Sequence, residues 1–176
     1  SIWEATEFWA TGQSPRPLGT ANRMSAPYQA FTASDGMFVV GAANQKLWDL
    51  ICGVIDRPDL QQDPRYHHNT DRVANREDLV ADLEPVFVTR SVDHWVDAFL
   101  QAGVPAGPIN DFGQVFDADH TLARDMVLKI NHPAEGQMNS LGFPVKLRGT
   151  PQQVRYAPPL LGQHTDELAG ELGLDP

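Results

Sequence analysis

Met37-Phe38-Val39-Val40-Gly41-Ala42-Ala43-Asn44-Gln45-Lys46-Leu47-Trp48 is the stretch on which the reading of the fold turns. Its first seven residues are an unbroken apolar run of strand length. A strand wetted on one side alternates apolar and polar residues, so this run predicts a strand covered on both faces. Asn44 follows with the side-chain oxygen that the unpaired N–H groups of a helix start require. Leu47, Trp48, Ile51, Val54 and Ile55 then fall at helical spacing, which predicts a helix over 45–55 with Trp48 in the core.

Working upstream, Pro27 to Phe31 leads into a turn at Ser34-Asp35-Gly36, and Gly12, Pro15, Pro17, Gly19 and Pro27 mark 12–27 as a linker or ordered loop. Ile2, Phe8 and Trp9 share roughly one helical face that Gly12 brings to a stop. With no initiator Met and no basic leader, residues 2–11 read as the end of a helix whose beginning is missing, and the chain is expected to be a fragment.

Downstream, residues 56–70 are expected to be irregular. Asp71 is read as the cap of a helix reaching about Phe87, with a kink or early end at Pro85, which lacks the N–H a helix needs. Ser91 caps the clearest helix, in which Val92, Trp95, Val96, Phe99 and Leu100 keep amphipathic spacing, with Trp95 in the core. Gly103 stands where a left-handed residue ends a helix. Pro105-Ala106-Gly107-Pro108 reads as a rigid loop that fixes chain direction. Short helical turns are expected over 111–117 and 118–124, then a strand from Met126, a turn at Pro133-Ala134-Glu135-Gly136, and a strand from Gln137 to Leu147. Residues 150–163 are Pro-rich and extended, and a last helix runs from Asp166 to Leu172 between Thr165 and Gly173. The pattern is α+β, with helices in the middle of the chain and strands flanking them.

Composition narrows the partners. The chain has 176 residues, 41% of them hydrophobic, and 13 Lys and Arg against 23 Asp and Glu, for a net charge of −10. Counterion release on nucleic acid, and attraction to an anionic membrane surface, both need basic clusters that this sequence lacks. No nucleic acid or membrane partner is therefore expected, and no apolar stretch is long enough to span a bilayer. The single cysteine, Cys52, lies in the apolar helix, reads as a buried hydrophobe, and fits a reducing cytoplasm. None of the 6 histidines shows ligand spacing, so no metal is expected. Nucleophile elbows, P-loops and dinucleotide fingerprints are missing as well. Local chemistry alone does not disclose a reaction.

Three stretches together are more distinctive: Ala26-Pro27-Tyr28-Gln29-Ala30-Phe31 with Asp35-Gly36, Ala102-Gly103-Val104-Pro105-Ala106-Gly107-Pro108-Ile109-Asn110, and Pro158-Pro159-Leu160-Leu161-Gly162-Gln163-His164-Thr165-Asp166-Glu167. Their order and spacing resemble the family III CoA-transferases, as do Asp59 to Asn69 and Arg72-Val73-Ala74-Asn75-Arg76. The resemblance implies a small α+β domain over 26–147, an outgoing helix and linker over 1–25, and a returning linker and C-terminal helix over 148–176. It implies a large domain on the same or a second chain, and a homodimer of interlocked rings when intact.

The resemblance also implies a chemistry. An aspartate of the large domain attacks an acyl-CoA thioester, and coenzyme A passes through aspartyl anhydride and thioester to an acceptor carboxylic acid. No aspartate here matches that motif, so no catalytic residue is assigned and the isolated chain is expected to be inactive. Coenzyme A thioester is the cosubstrate, and no covalently bound cofactor is implied. The candidate substrate-binding residues are Asn22 and Arg23, in place of a glycine-rich loop, together with Tyr28 and Asn44. At the position of Asn44 the related 2-methylacyl-CoA racemases carry an acid/base glutamate. An amide takes up no proton near neutral pH, which favours transfer over the alternative of a CoA-thioester racemase or isomerase. A non-catalytic interaction module is the other alternative.

Overall fold

The computed structural model describes residues 2–174. The chain divides into two compact units, one ending at Ile109 and one beginning at Asn110. Helices and small antiparallel sheets alternate in both, so the α+β expectation is met.

The first unit opens with helix α1 (Ile2–Thr11), which buries none of its residues. Gly12 closes it in a left-handed conformation (φ 71°), and residues 13–27 form neither helix nor strand. Strands β1 (Tyr28–Thr32) and β2 (Met37–Gly41) pair antiparallel, with Tyr28 opposite Gly41 and Phe31 opposite Phe38. Phe38 and Val40 are fully buried, whereas Val39 between them is half-buried. The second face of this strand is therefore only partly covered, short of the expectation. Helix α2 (Gln45–Val54) follows, capped as expected by Asn44, whose side chain accepts from the Leu47 N–H at 3.0 Å.

The irregular connection expected after α2 instead holds helix α3 (Pro58–Gln62), a 3-10 turn (Pro64–Tyr66) and helix α4 (Asn69–Ala74). The single helix expected from Asp71 is broken at Asn75 and resumes as α5 (Arg76–Phe87). Asp71 lies inside α4, where its carboxylate accepts from the His68 N–H that precedes the helix. Pro85 falls in the last turn of α5, and the helix runs two residues beyond it. Pro85 withholds one N–H from the ladder, the one that would meet the Ala81 carbonyl, and the helix ends soon after.

Helix α6 (Val92–Gln101) is capped by Ser91, which accepts from His94 at 3.2 Å. At its other end Val104 N–H bonds Phe99 O at 2.8 Å and Gly103 N–H bonds Leu100 O at 3.0 Å, with Gly103 at φ 79°. This is the two-bond closure a left-handed glycine permits. Leu100, placed by spacing on the apolar face, is 53% exposed. The expected rigid loop after α6 is strand β3 (Ala106–Pro108), an edge strand paired with β2. Proline is tolerated there because an edge strand has partners on one side only. The core lies between this sheet and helices α2, α5 and α6. Its centre is Phe87, whose ring stands 4.9 Å from Phe31, 5.1 Å from Phe38, 5.4 Å from Trp95 and 6.1 Å from Phe99. Trp48, Trp95 and Cys52 are all buried in this core.

The second unit contains α7 (Phe112–Asp117), α8 (Asp119–Ala123), the hairpin β4 (Val127–His132) and β5 (Gly136–Leu141), and α9 (Thr165–Leu172). Strand β5 ends at Leu141, six residues short of the expectation, because Gly142 passes against the Asp125 carbonyl where a Cβ would collide. Residues 143–164 form no helix or strand, and α9 begins one residue early, with His164 rather than Thr165 as its N-cap. Among the described residues of this unit, only His132 and Gly142 are buried.

Candidate acid-binding site

The candidate residues begin in the breaker-rich segment before β1. Asn22 folds it back: its side-chain oxygen accepts from the N–H groups of Met24 (2.8 Å) and Ser25 (3.1 Å), and its own N–H donates to Tyr28 O at 2.8 Å. Short polar side chains offer the backbone this kind of local turn. The loop is then gripped by three side chains of the α4–α5 segment. Asn69 donates to Met24 O (2.7 Å) and accepts from Ala26 N (3.2 Å). Arg72 donates to Ala26 O at 2.6 Å, and Arg76 to Asn22 O at 2.6 Å. Asn69 and Arg72 stand three residues apart on one face of α4, and Arg76 opens α5 just beyond the break at Asn75.

Arg72 is fully buried without a carboxylate partner. It also donates to Tyr66 O (2.9 Å) and to the Gln45 side chain (3.0 Å), and its guanidinium lies 5.2 Å from the Trp48 ring centroid. Desolvation pushes its pKa downward, and that of Arg76 likewise. Nη1 of Arg76 is buried and makes no hydrogen bond.

Arg23 projects from this fixed loop toward α1. Its Nε and Nη2 donate to the two carboxylate oxygens of Glu7, both at 2.6 Å. This is the planar, two-pronged pairing of guanidinium with carboxylate. Hydrogen bonding from Arg23 holds the Glu7 carboxyl below its ordinary pKa. Around the pair is an open hollow of about 860 Å³ whose wall includes Trp3, Glu4, Glu7, Asn22, Arg23 and Arg76. That volume admits a small organic acid with room to spare. A second hollow, in the other unit, is lined by Phe116, Val127, Asn139, Ser140 and Leu141 and offers no cation.

The other two candidates stand apart from this hollow. Tyr28 starts β1, 40% exposed, with its ring against Gly41, where a Cβ would approach to 3.0 Å. Asn44 spends its side-chain oxygen on the α2 cap. Arg72 links the two regions, since Ala26 precedes Tyr28 by two residues and Gln45 directly follows Asn44. The sequence reading assigned no role to Asn69, Arg72, Arg76 or Glu7. The spacing of Asn69 and Arg72 is a readable signal, whereas Glu7 and Arg23 lie 16 residues apart across the end of α1 and a linker that obeys no spacing rule. Burial pushes the Cys52 thiol up to about 12, away from a reactive thiolate. Among the described residues no three His, Cys, Asp or Glu side chains are grouped to hold a metal ion. No described helix is long and apolar enough to cross a membrane.

A fold of this kind has known counterparts. The chain belongs to CoA-transferase family III, whose family model matches residues 2–165. Among its relatives, the succinyl-CoA:glutarate CoA-transferase of Mus musculus is 36% identical over 154 residues, 88% of this chain and 35% of that protein. The acetyl-CoA:oxalate CoA-transferase of Acetobacter aceti is 37% identical over 140 residues, 80% of this chain and 35% of that protein. A crystal structure of a CAIB/BAIF family protein from Brucella suis superposes with a TM-score of 0.81 and 31% identity, covering 96% of this chain and 43% of that one. The chain spans about a third of the length of the first two.

Proposed function

We propose that the whole protein moves coenzyme A between carboxylic acids, and that this chain holds the carboxylate of the acid at Arg23. The observation that carries the reading is the carboxylate already seated in the Arg23 fork, in an open hollow. Membership of a family whose relatives are named as CoA-transferases supports it.

In this reading residues 26–147 act as the small domain and 1–25 and 148–176 as the linkers, and the nucleophilic aspartate lies on a large domain outside these 176 residues. That aspartate attacks the thioester carbonyl of the donor, the C–S bond breaks, and coenzyme A leaves as thiolate. The thiolate returns to the aspartyl carbonyl and frees the donor acid. The acceptor carboxylate then displaces the thiolate from the aspartyl thioester, and the thiolate finally takes the acceptor's acyl group and restores the aspartate. Each step replaces one hard acyl exchange with an easier one. Arg23 orients the acceptor carboxylate for its attack and Asn22 fixes the loop that carries Arg23, while Tyr28 and Asn44, which stand outside that hollow, meet the substrate away from this carboxylate. Asn44 takes up no proton near neutral pH, an exchange that racemisation needs and transfer does not. The intact enzyme is assigned to the cytoplasm as a homodimer, with coenzyme A thioester as cosubstrate.

The test is a chromatographic assay for acyl-CoA products from succinyl-CoA with glutarate, mesaconate or oxalate as acceptor. The 176-residue chain alone is expected to give no product, and the full-length polypeptide to give at least one. Arg23→Gln in the full-length enzyme is expected to raise the acceptor KM by about tenfold or more. Product from the 176 residues alone would overturn the placement of the nucleophile. An unchanged acceptor KM would remove Arg23 from the site.

A further inference from the structure

Helix α1 is attached in an unusual manner. Within these 176 residues it buries no residue, and Ile2, Trp3 and Trp9 are 75%, 70% and 78% exposed, so packing on the first unit contributes little to its position. What ties it to the loop is Glu7, whose two oxygens both take the donors of Arg23. Arg23 in turn belongs to a loop pinned by Asn69, Arg72 and Arg76, so the arginine is the fixed member of the pair and the glutamate the movable one. The side chains are 34% and 42% exposed, so solvent and a solute both have access to the bond. In the wall of the same hollow, Nη1 of Arg76 is a donor without an acceptor, and Glu4 adds a second negative charge.

We infer that Glu7 is an internal stand-in for the acid's carboxylate: an acid enters the Arg23 fork by displacing Glu7, and Glu7 thereby sets the affinity of the site. The inference rests on the reading of Arg23 as the acid-binding residue. A guanidinium fork accepts one carboxylate in two-pronged fashion, so the two occupants exclude each other. The measured affinity is the intrinsic affinity multiplied by the fraction of molecules whose fork is free. An exposed pair of this kind leaves the fork free in roughly a sixth to two fifths of molecules.

Calorimetric titration of the 176-residue chain with sodium glutarate tests this. Glu7→Gln keeps the size of the side chain but cannot form the charged pair, and it is expected to tighten binding about two- to sixfold. Glu7→Ala is expected to do the same, which separates the effect from any hydrogen bond the amide retains. Arg23→Gln is expected to abolish binding in the native and Glu7→Gln backgrounds alike. The circular dichroism of each variant at the titration temperature confirms that the core is intact. If native chain binds glutarate through Arg23 and neither Glu7 variant binds more tightly, the inference fails while the reading of Arg23 stands. If binding survives Arg23→Gln, or if neither the native chain nor the Glu7 variants bind, both fail.

Discussion

Phe87 and Phe116 lie on helices of the two units and make opposite use of the same side chain. Phe87 is fully buried and surrounded by four aromatic rings. Phe116 is half-buried and stacks at 6.1 Å on Phe112, which is itself 81% exposed. The contrast extends through both units. From β1 onward the first collects most of its large apolar residues into one cluster, and the second leaves Leu141, Tyr156, Leu161 and Leu172 more than half exposed. Both possess well-formed local devices, including capped helices and a tight hairpin. Caps and turns therefore suffice to specify elements, while a core requires elements to be layered on one another.

The largest expected effect sharpens that contrast. Phe87→Ala should lower the unfolding free energy by about 3–5 kcal/mol, since it removes a filled site among four rings. Phe116→Ala should lower it by less than about 1 kcal/mol. Urea denaturation followed by tryptophan fluorescence for the first unit, whose residues include all 4 tryptophans, and by far-ultraviolet circular dichroism for the second reads both, and comparable losses would show that the second unit hides a core of its own. Next in size is Arg72→Ala, which leaves the Ala26 and Tyr66 carbonyls without their donor and is expected to cost about 3 kcal/mol in the same titration. An unchanged midpoint would mean that this guanidinium does not hold the loop to α2.

The smallest effect compares two caps. Ser91→Ala should remove about 1 kcal/mol from the main transition, because α6 is part of the core. Asp111, which accepts from Gln114 N–H at 2.9 Å, caps α7 equally well. Asp111→Ala should increase amide exchange in 112–117 without moving the main transition. A shift of that transition would show that the two units unfold together.

Legibility in the sequence followed the same division. Helices α2 and α6 were readable because their apolar spacing and their caps agree with burial. The break at Asn75 was not, because the residue most deeply buried in α4 is Arg72, and a charge at a core position erases the apolar period. Strand β3 was concealed by Pro105 and Pro108, which punctuate a loop in most contexts. Of the candidate site, Arg23 was legible as a carboxylate-binding chemistry. Its occupant was not, since Glu7 reaches it across a linker whose path only tertiary structure defines.

Strand β3 also has a consequence for how the molecule behaves in company. Ile109 N–H bonds Met37 O and Gly41 N–H bonds Pro105 O, so alternation turns Ala106 and Pro108 toward the open side of the sheet. Pro108 has no N–H to present there. A neighbouring chain that approached this edge would find too few donors to continue the ladder, so the sheet carries its own guard against fibre-like association at high concentration.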